Sequence, residues 1–356
     1  MATALSYRDV SPQRIVGSHF GPFRKDRPIF LVVIPTFRRR EYLKQALDSV
    51  LTQQDVTAIV IVIDDSPEHS AESIVEGCAD QPVIYLANPK PSGANPGMVR
   101  DLGMSYARAH RIQGDFVHFL DDDDIVPEGL YPAVKKAFPA HPNIGVVFGL
   151  VEPFGDPSKE RQFGPGAEIF RRRGAPCAGL PLDYKKVCDQ GTKACAHAIL
   201  ANNAMMFGRP WLICSSAFVR HRCFDEVYGF GQDILLGEDV EFYARAIRRC
   251  GALFLDRLSL RFRISGNSLM HTTDMSASAR AEEELKISDG IRRKQAKLRA
   301  ELGPRFYAWK AFARIIRPVL MRWRPGEANI SLLSPKRSWP RGVSATSRRP
   351  DETRPC

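Results

Sequence analysis

The sequence predicts an α/β fold with a mostly parallel sheet flanked by helices, and three observations predict it. Short unbroken apolar runs, such as Ile29 to Ile34 and Ala58 to Ile63, have the character of strands buried on both faces. Stretches with helical spacing alternate with these runs, the pattern of crossover-connected parallel strands. Two of the runs end in acids, Asp64-Asp65 and Asp121 to Asp124. In open sheets of this kind, ligands bind beyond the carboxyl ends of the strands.

The elements follow in order. Residues 1–27 are polar and mixed, an N-terminal arm. Ile29 to Ile34 is the first strand, ended by Pro35. Glu41 to Val50 is helical, with Tyr42, Leu43, Ala46, Leu47 and Val50 on one face. Ala58 to Ile63 and Pro82 to Leu86 are the next strands. Pro96 to His110 reads as a helix, Asp115 to Leu120 as the fourth strand, Pro127 to Ala137 as a helix and Ile144 to Val151 as the fifth strand. Residues 152–195, rich in Gly, Pro and Arg, predict no regular element. Ile213 to Val219 is strand-like. Gly237-Glu238-Asp239 opens a helix over Val240 to Arg249, and Ala252 to Leu255 and Leu258 to Ile264 are two further strand-like runs. Ala277 to Leu302 is a long polar helix. Arg305 to Arg324 interleaves aromatic and aliphatic residues with Arg and Lys, and from Pro325 the composition predicts disorder.

Composition narrows the function classes. The chain has 356 residues and 44% hydrophobic content, ordinary for a globular protein with a real core. No apolar run approaches the roughly 18 residues that would span a bilayer, and Met1 to Ser18 has no apolar core of a secretory signal. The eight cysteines include no Cys-x-x-Cys pair, so they read as reduced thiols of a cytoplasmic protein rather than a zinc site. From Pro304 to Cys356, twelve Lys or Arg stand against three acids. That segment carries +9 of the net +11, leaving +2 on the first 303 residues. A uniformly basic nucleic-acid-binding body is therefore not expected.

Asp121 to Asp124 carry the strongest chemical signal. Each neighbouring pair of like charges costs roughly 1 kcal/mol in water and about 4 kcal/mol at an effective dielectric of 20. A divalent cation converts that repulsion into binding, because hard cations take carboxylate oxygens. The plainer alternatives are an exposed acidic turn or an acidic helix N-terminus.

Four segments in order resemble family 2 glycosyltransferases, which have the GT-A fold, a Rossmann-like sheet. They are Val33-Ile34-Pro35-Thr36-Phe37-Arg38-Arg39-Arg40, Ile63-Asp64-Asp65-Ser66, the aspartate block with Pro127 and Leu130 after it, and Gly237-Glu238-Asp239. Together they cover roughly residues 29–270. The resemblance implies transfer of a sugar from a nucleotide-diphosphate donor, a UDP-sugar first, to an acceptor hydroxyl. It also implies inversion at the anomeric carbon and a Mn²⁺ or Mg²⁺ ion that stabilises the leaving diphosphate. The acceptor is then a carbohydrate or a lipid-linked glycan of polysaccharide or glycolipid synthesis. The matching domain is 28–275, divided into a nucleotide-sugar half at 28–151 and an acceptor half at 152–275. A helical basic and aromatic extension at 276–324 and a tail at 325–356 follow.

The resemblance also implies site residues. Pro35 and Thr36 match positions lining the base, although Pro35 could equally be a strand terminator. Asp65, with its neighbour Asp64, matches an acid that hydrogen-bonds the base; the alternative is an Asx-type turn before Pro67. Arg100 matches a donor-holding Arg, but Asp101 follows it where many relatives have Asn. Asp121, Asp123 and Asp124 match the Asp-x-Asp element, with Asp123 and Asp124 as ribose and metal contacts and Asp122 the variable position. Asp239 matches the general base that takes the acceptor proton, with Glu238 beside it; the alternative is an acid pair complementing the helix dipole. Relatives often carry Arg-x-His near the metal. Here Ser265 stands at the His position, and His271 is the nearest candidate ligand. Cys177 to Met206 should face the acceptor, and Trp211 is either a sugar platform or core.

Two rivals belong to other classes. A nucleotidyltransferase needs a Gly-rich loop after the first strand, where this chain has Pro35-Thr36-Phe37-Arg38. A non-catalytic membrane- or nucleic-acid-binding protein would rest on the basic tail. That tail is also compatible with an enzyme held peripherally on the inner membrane face, through anionic lipids at 305–324.

Overall fold

The computed structural model describes residues 27–155 and 213–265, less a few positions within each, and scattered positions between 285 and 311. A seven-stranded mixed sheet organises the described residues. Its strands are β1 (Ile29–Thr36), β2 (Thr57–Asp64), β3 (Val83–Ala87), β4 (Phe116–Phe119), β5 (Val146–Gly155), β6 (Ala217–Arg220) and β7 (Ala252–Ile264), in the order β3-β2-β1-β4-β6-β5-β7. The pairs β1–β2, β2–β3, β1–β4 and β5–β7 are parallel, and β6 runs antiparallel to both β4 and β5. The expected mostly parallel sheet with flanking helices is what the chain forms.

Strand alternation builds two cores from one sheet. Leu31 and Val33 of β1 pack on one face with α3 (Pro96–Ala109), α5 (His221–Val227) and α6 (Glu238–Cys250). Phe30, Val32 and Ile34 pack on the other face with α1 (Arg40–Leu51), α2 (Glu72–Glu76) and α4 (Leu130–Ala140). Both faces of β1 are therefore covered, which is why its sequence is an unbroken apolar run rather than an alternating one.

Several boundaries differ from the sequence expectation for local reasons. β1 continues through Pro35, paired with Ile63 of β2. The Val33 carbonyl accepts from Leu120 on the β4 side, and residue 35 shares that parity. The missing Pro35 N–H thus points where β4 pairing has already ended, so the ring removes no ladder bond. The strand expected from Ile213 begins only at Ala217. Before it, Cys214 to Ser216 form a 3₁₀ turn in which the Ser216 hydroxyl donates to the Ile213 carbonyl at 2.7 Å. A serine satisfying backbone groups locally competes with a ladder. The two runs after residue 252 form the single strand β7, whose register against β5 shifts around Leu150. The short helices α2 and α5 have no counterpart among the expected elements.

The architecture fixes the location of a crevice. β1, β2 and β4 are parallel, so their carboxyl ends lie along one edge. The chain order reverses between β1 and β4, the position at which open α/β sheets accommodate ligands. Thr36, Asp65 and Asp121 to Asp124 all follow strands that end there.

Candidate active site at the carboxyl edge of the sheet

The four aspartates take four different environments. Asp122 is the most tied. Its Oδ2 accepts from Thr36 Oγ1 at 2.7 Å and from the Phe37 N–H at 3.4 Å, and its Oδ1 from Arg39 at 3.0 Å. It locks the end of β1 to the end of β4 across the crevice. The sequence expectation made Asp122 the dispensable member; the structure gives it the bond between the two central strand ends.

Asp123 shares the same Arg39 nitrogen, which donates to its Oδ2 at 2.8 Å. Burial pushes the Asp123 carboxyl up to about 7, with the Asp122 charge adding to the shift and Arg39 opposing it. Asp124 is fully buried, and burial raises it well above the usual carboxylate range, with the charges of Asp123 and Asp121 adding. Its Oδ1 accepts from the Arg263 N–H at 3.0 Å. Ser215 lies close enough to favour the Asp124 charge, yet Oδ2 has no partner at hydrogen-bonding geometry among the described residues.

Asp121 is the exposed member, its side chain 31% accessible. Its N–H is held by Ser215 Oγ at 3.0 Å, and its Oδ1 accepts from Arg100 at 2.5 Å. The block is thus balanced by Arg39, Arg100 and Arg263. The last also donates its Nε to the Asp123 carbonyl at 2.8 Å.

The two acids after β2 part company. Asp64 is fully buried and accepts four bonds, from the Ser66 N–H and Oγ, the Ala71 N–H and Tyr85 Oη, at 2.6 to 3.1 Å. It holds the turn leading to α2 and faces away from the crevice. Grouping it with Asp65 as a nucleotide contact is therefore corrected: its lone pairs are committed to the fold. Asp65 accepts from Asn88 Nδ2 at 2.6 Å and from the N–H and Oγ of Ser92 at 2.9 and 2.7 Å. That binds it to the loop after β3, at the sheet's carboxyl edge. Pro35 is partly exposed at the end of β1, next to the buried Thr36.

Arg100 sits on α3 with only 3% of its surface accessible. One terminal nitrogen reaches Asp121, and the other donates to Glu238 Oε1 at 2.8 Å. One guanidinium therefore joins the aspartate block to the first turn of α6. Burial first, and then the Asp239 charge, push the Glu238 carboxyl up to about 7 against the pull of Arg100. Asp239 is half-buried, and its Oδ1 accepts from the Val240 N–H at 2.7 Å. Asp101 accepts from the Phe230 N–H at 2.9 Å. An Asn carbonyl at this position could accept the same bond.

Behind the block lies a residue that the sequence did not single out. His118 of β4 is fully buried between Tyr131 Oη at 2.8 Å and the Ser215 carbonyl at 2.9 Å. Burial lowers it to about 4, so it stands neutral near pH 7. Its ring orients Ser215, and Ser215 in turn fixes the Asp121 backbone. Besides His118, Ser215 and Arg39 are site residues that sequence reasoning missed. Arg39 carried a signal, a basic run at a strand end facing an acidic one. Ser215 carried none, being 94 residues from Asp121.

Three buried side-chain polar atoms lack a hydrogen-bond partner among the described residues: Arg100 Nε, Asp124 Oδ2 and Ser265 Oγ. Arg100 donates to Asp121 of the aspartate block to which Asp124 also belongs, and Ser265 lies two residues beyond Arg263, whose N–H donates to Asp124. Native interiors leave few such atoms unpaired. His271, Trp211, Cys177 to Met206 and most of 305–324 lie outside the described residues.

The profile of the family described as "Glycosyl transferase family 2" matches residues 31–182. The chain is 31% identical over 137 residues to the GalNAc(5)-diNAcBac-PP-undecaprenol beta-1,3-glucosyltransferase of Campylobacter jejuni, covering 37% of this chain and 42% of that protein. It is 30% identical over 117 residues to the minor teichoic acid biosynthesis protein GgaB of Bacillus subtilis, covering 32% of this chain and 12% of that protein. The chain thus spans well under half the length of these relatives. Among solved structures, S. aureus TarS 1-349 in complex with UDP-GlcNAc aligns with a TM-score of 0.49 at 17% identity, covering 75% of this chain and 66% of that one. Residues 31–182 are thus similar to family 2 glycosyltransferases.

Proposed function

We propose that the protein is a glycosyltransferase that moves a sugar from a nucleotide-diphosphate donor, a UDP-sugar first, to an acceptor hydroxyl with inversion. The observation that carries the reading is that Arg100 Nε and Asp124 Oδ2 are buried without a partner among the described residues, one on the arginine that holds Asp121 and the other within the aspartate block at the end of β4. A buried polar atom without a partner costs about 1–3 kcal/mol, so a site that keeps such atoms is suited to a polar ligand. The family 2 match and the named transferases among the relatives support the same class.

The residues divide the work. Thr36, Asp65 and the loop at Asn88 to Ser92 border the nucleotide end, and Asp121 presents its exposed oxygen to the donor. Asp239, beside Glu238 at the start of α6, takes the proton of the acceptor hydroxyl as that oxygen forms its bond to the anomeric carbon. The bond from the anomeric carbon to the diphosphate breaks in the same step, and its electron pair leaves with the nucleoside diphosphate. A low-dielectric crevice strengthens each of these interactions.

A Mn²⁺ or Mg²⁺ ion is part of the same proposal. Asp123 and Asp124 would hold it, since hard cations take carboxylate oxygens and Asp124 Oδ2 is unpaired. Among the described residues no group of three or more His, Cys, Asp or Glu gathers to hold a metal. Bound there, the ion would supply Lewis-acid stabilisation of the leaving diphosphate.

Calorimetry of UDP with and without Mn²⁺ tests the donor site, and Asp239→Asn tests the base. UDP should bind wild type and Asp239→Asn alike, Asp123→Ala should weaken binding, and Asp239→Asn should lose transfer. Absence of nucleoside diphosphate binding to the wild type would sink the reading. The acceptor we infer to be lipid-linked, with the 305–324 segment contacting anionic lipid. Among the described residues no helix is long and apolar enough to cross a membrane. Flotation on anionic liposomes of the full chain against a chain ending at residue 303 checks the contact; equal flotation removes it.

A further inference from the structure

The resemblance assigns Arg100 to the donor, but its geometry points elsewhere. Both terminal nitrogens are directed at protein carboxylates, Asp121 at 2.5 Å and Glu238 at 2.8 Å, and the guanidinium lies 5.4 Å over the Phe230 ring. The surroundings are shaped around the Glu238 contact. A Cβ added at Gly97, in the first turn of α3, would stand 2.7 Å from Glu238 Cγ and 3.3 Å from Phe230 Cβ. Glycine there lets the Glu238 side chain lie flat on α3. Asp101 holds the Phe230 N–H, and Gly229, with φ of +75°, packs directly on the Asp101 carboxylate. α6 itself begins at Gly237 in the left-handed region with no side-chain cap. The orientation of its first turn is therefore set from α3.

We propose that Arg100, seated by Gly97 and seconded by Asp101, is a positioning residue that fixes Glu238 and thereby aims Asp239 at the acceptor side of the crevice. This rests on the reading of Asp239 as base. It departs from the resemblance in giving Arg100 to the acceptor side instead of the donor. The guanidinium also couples the two halves of the site, because its second arm holds the exposed Asp121.

The charged and titratable groups that act on Glu238 are Arg100 from α3, Asp239 on its own helix, and Cys214, which burial raises and keeps neutral near pH 7. Arg100 is the cation among them. Its loss raises the proton affinity of Glu238 and moves the acid limb of the rate profile to higher pH.

The test uses the full chain, with UDP calorimetry and hydrolysis of UDP-GlcNAc and UDP-glucose followed as UDP released. Arg100→Lys keeps the charge and loses the two-pronged geometry; Gly97→Ala displaces Glu238 and leaves Arg100 in place. Each should lower kcat on the order of tenfold to a hundredfold, the cost of misplacing a reacting group by about 1 Å. UDP affinity and donor KM should stay near wild type. Arg100→Gln should also shift the acid limb upward. If Arg100→Lys weakens UDP binding and leaves kcat unchanged, Arg100 belongs to the donor and the proposal is overturned. If Asp239→Asn keeps turnover, the base reading fails. The clamp is then judged by a double-mutant cycle of Arg100→Gln with Glu238→Gln in urea unfolding, where additivity overturns it.

Discussion

Asp64→Asn separates a structural acid from a ligand-binding one. The substitution keeps shape and exchanges one carboxylate oxygen for an NH₂ group. Oδ1 accepts from the Ser66 N–H and hydroxyl, and Oδ2 from the Ala71 N–H and the Tyr85 hydroxyl. Each oxygen thus serves one backbone N–H and one hydroxyl. Whichever oxygen is replaced, the hydroxyl can turn and accept from the new NH₂, but the backbone N–H cannot. One buried N–H is left unpaired at about 1–3 kcal/mol. The two bonds that survive lose charge assistance, a further loss of about 1 kcal/mol. The expected destabilisation is about 3 kcal/mol, read as a lowered urea midpoint with an unchanged slope. UDP affinity of the folded protein should be unchanged. A variant as stable as wild type that no longer binds UDP would refute the reasoning and return Asp64 to the nucleotide.

Glu238→Gln should flatten the pH dependence of stability. With the native carboxyl at about 7 against an ordinary 4.5, the folded state holds the proton more tightly, so stability falls as pH rises from about 4.5 to 7, by at most about 3 kcal/mol. Urea midpoints at pH 5 and 8 should differ less in the variant, and an unchanged difference would count against the shift. His118 has the opposite sign. Its ring is lowered to about 4 from 6.5, so stability is lost as pH falls between those values, again by at most about 3 kcal/mol. His118→Phe should be less stable overall yet less acid-sensitive between pH 6.5 and 4.5; an identical acid loss would remove His118 as the cause. Arg39→Ala takes away the guanidinium held between Asp122 and Asp123. It should lower thermal stability without a cation and enlarge the stabilisation by Mn²⁺, and a smaller Mn²⁺ shift than in wild type would contradict this.

What the sequence disclosed follows from how local each cause is. β1, β2 and β4 were legible because both faces of each are buried, which leaves an apolar run no other element imitates at that length. α2 and α5, at five and seven residues, are too short to repeat a helical face. Asp64 was misgrouped although strand parity held the answer. Val62 packs with α1 and α2, and so must Asp64 two residues on, beside Tyr85 on that same face. Asp65, one residue further, leaves the strand toward the crevice edge. The Arg100–Glu238 pair joins residues 138 apart, and no local pattern announces it.

The aspartate run illustrates how a sequence argument can be sound in its premise and incomplete in its remedy. Four adjacent carboxylates do repel, at about 4 kcal/mol per neighbouring pair at an effective dielectric of 20. A cation is one remedy, but the fold supplies others: Arg39 on Asp122 and Asp123, Arg100 on Asp121, the Arg263 N–H on Asp124 and the Thr36 hydroxyl on Asp122. The run can therefore fold without a metal, and its charge alone does not demand one. What the protein leaves unanswered is narrower, a single buried oxygen of Asp124 and the exposed side of Asp121. A ligand that completes the site has to satisfy these two acids, on either side of a pair already engaged by Arg39. On the proposed reading a cation would do so at Asp124, where the demand is for positive charge in a dry place. A donor hydroxyl would do so at Asp121, where solvent still reaches and a neutral hydrogen bond is enough. Asp122 would then hold the end of β1 in place, Asp123 would be shared between Arg39 and the cation, and the outer two acids would serve the ligand.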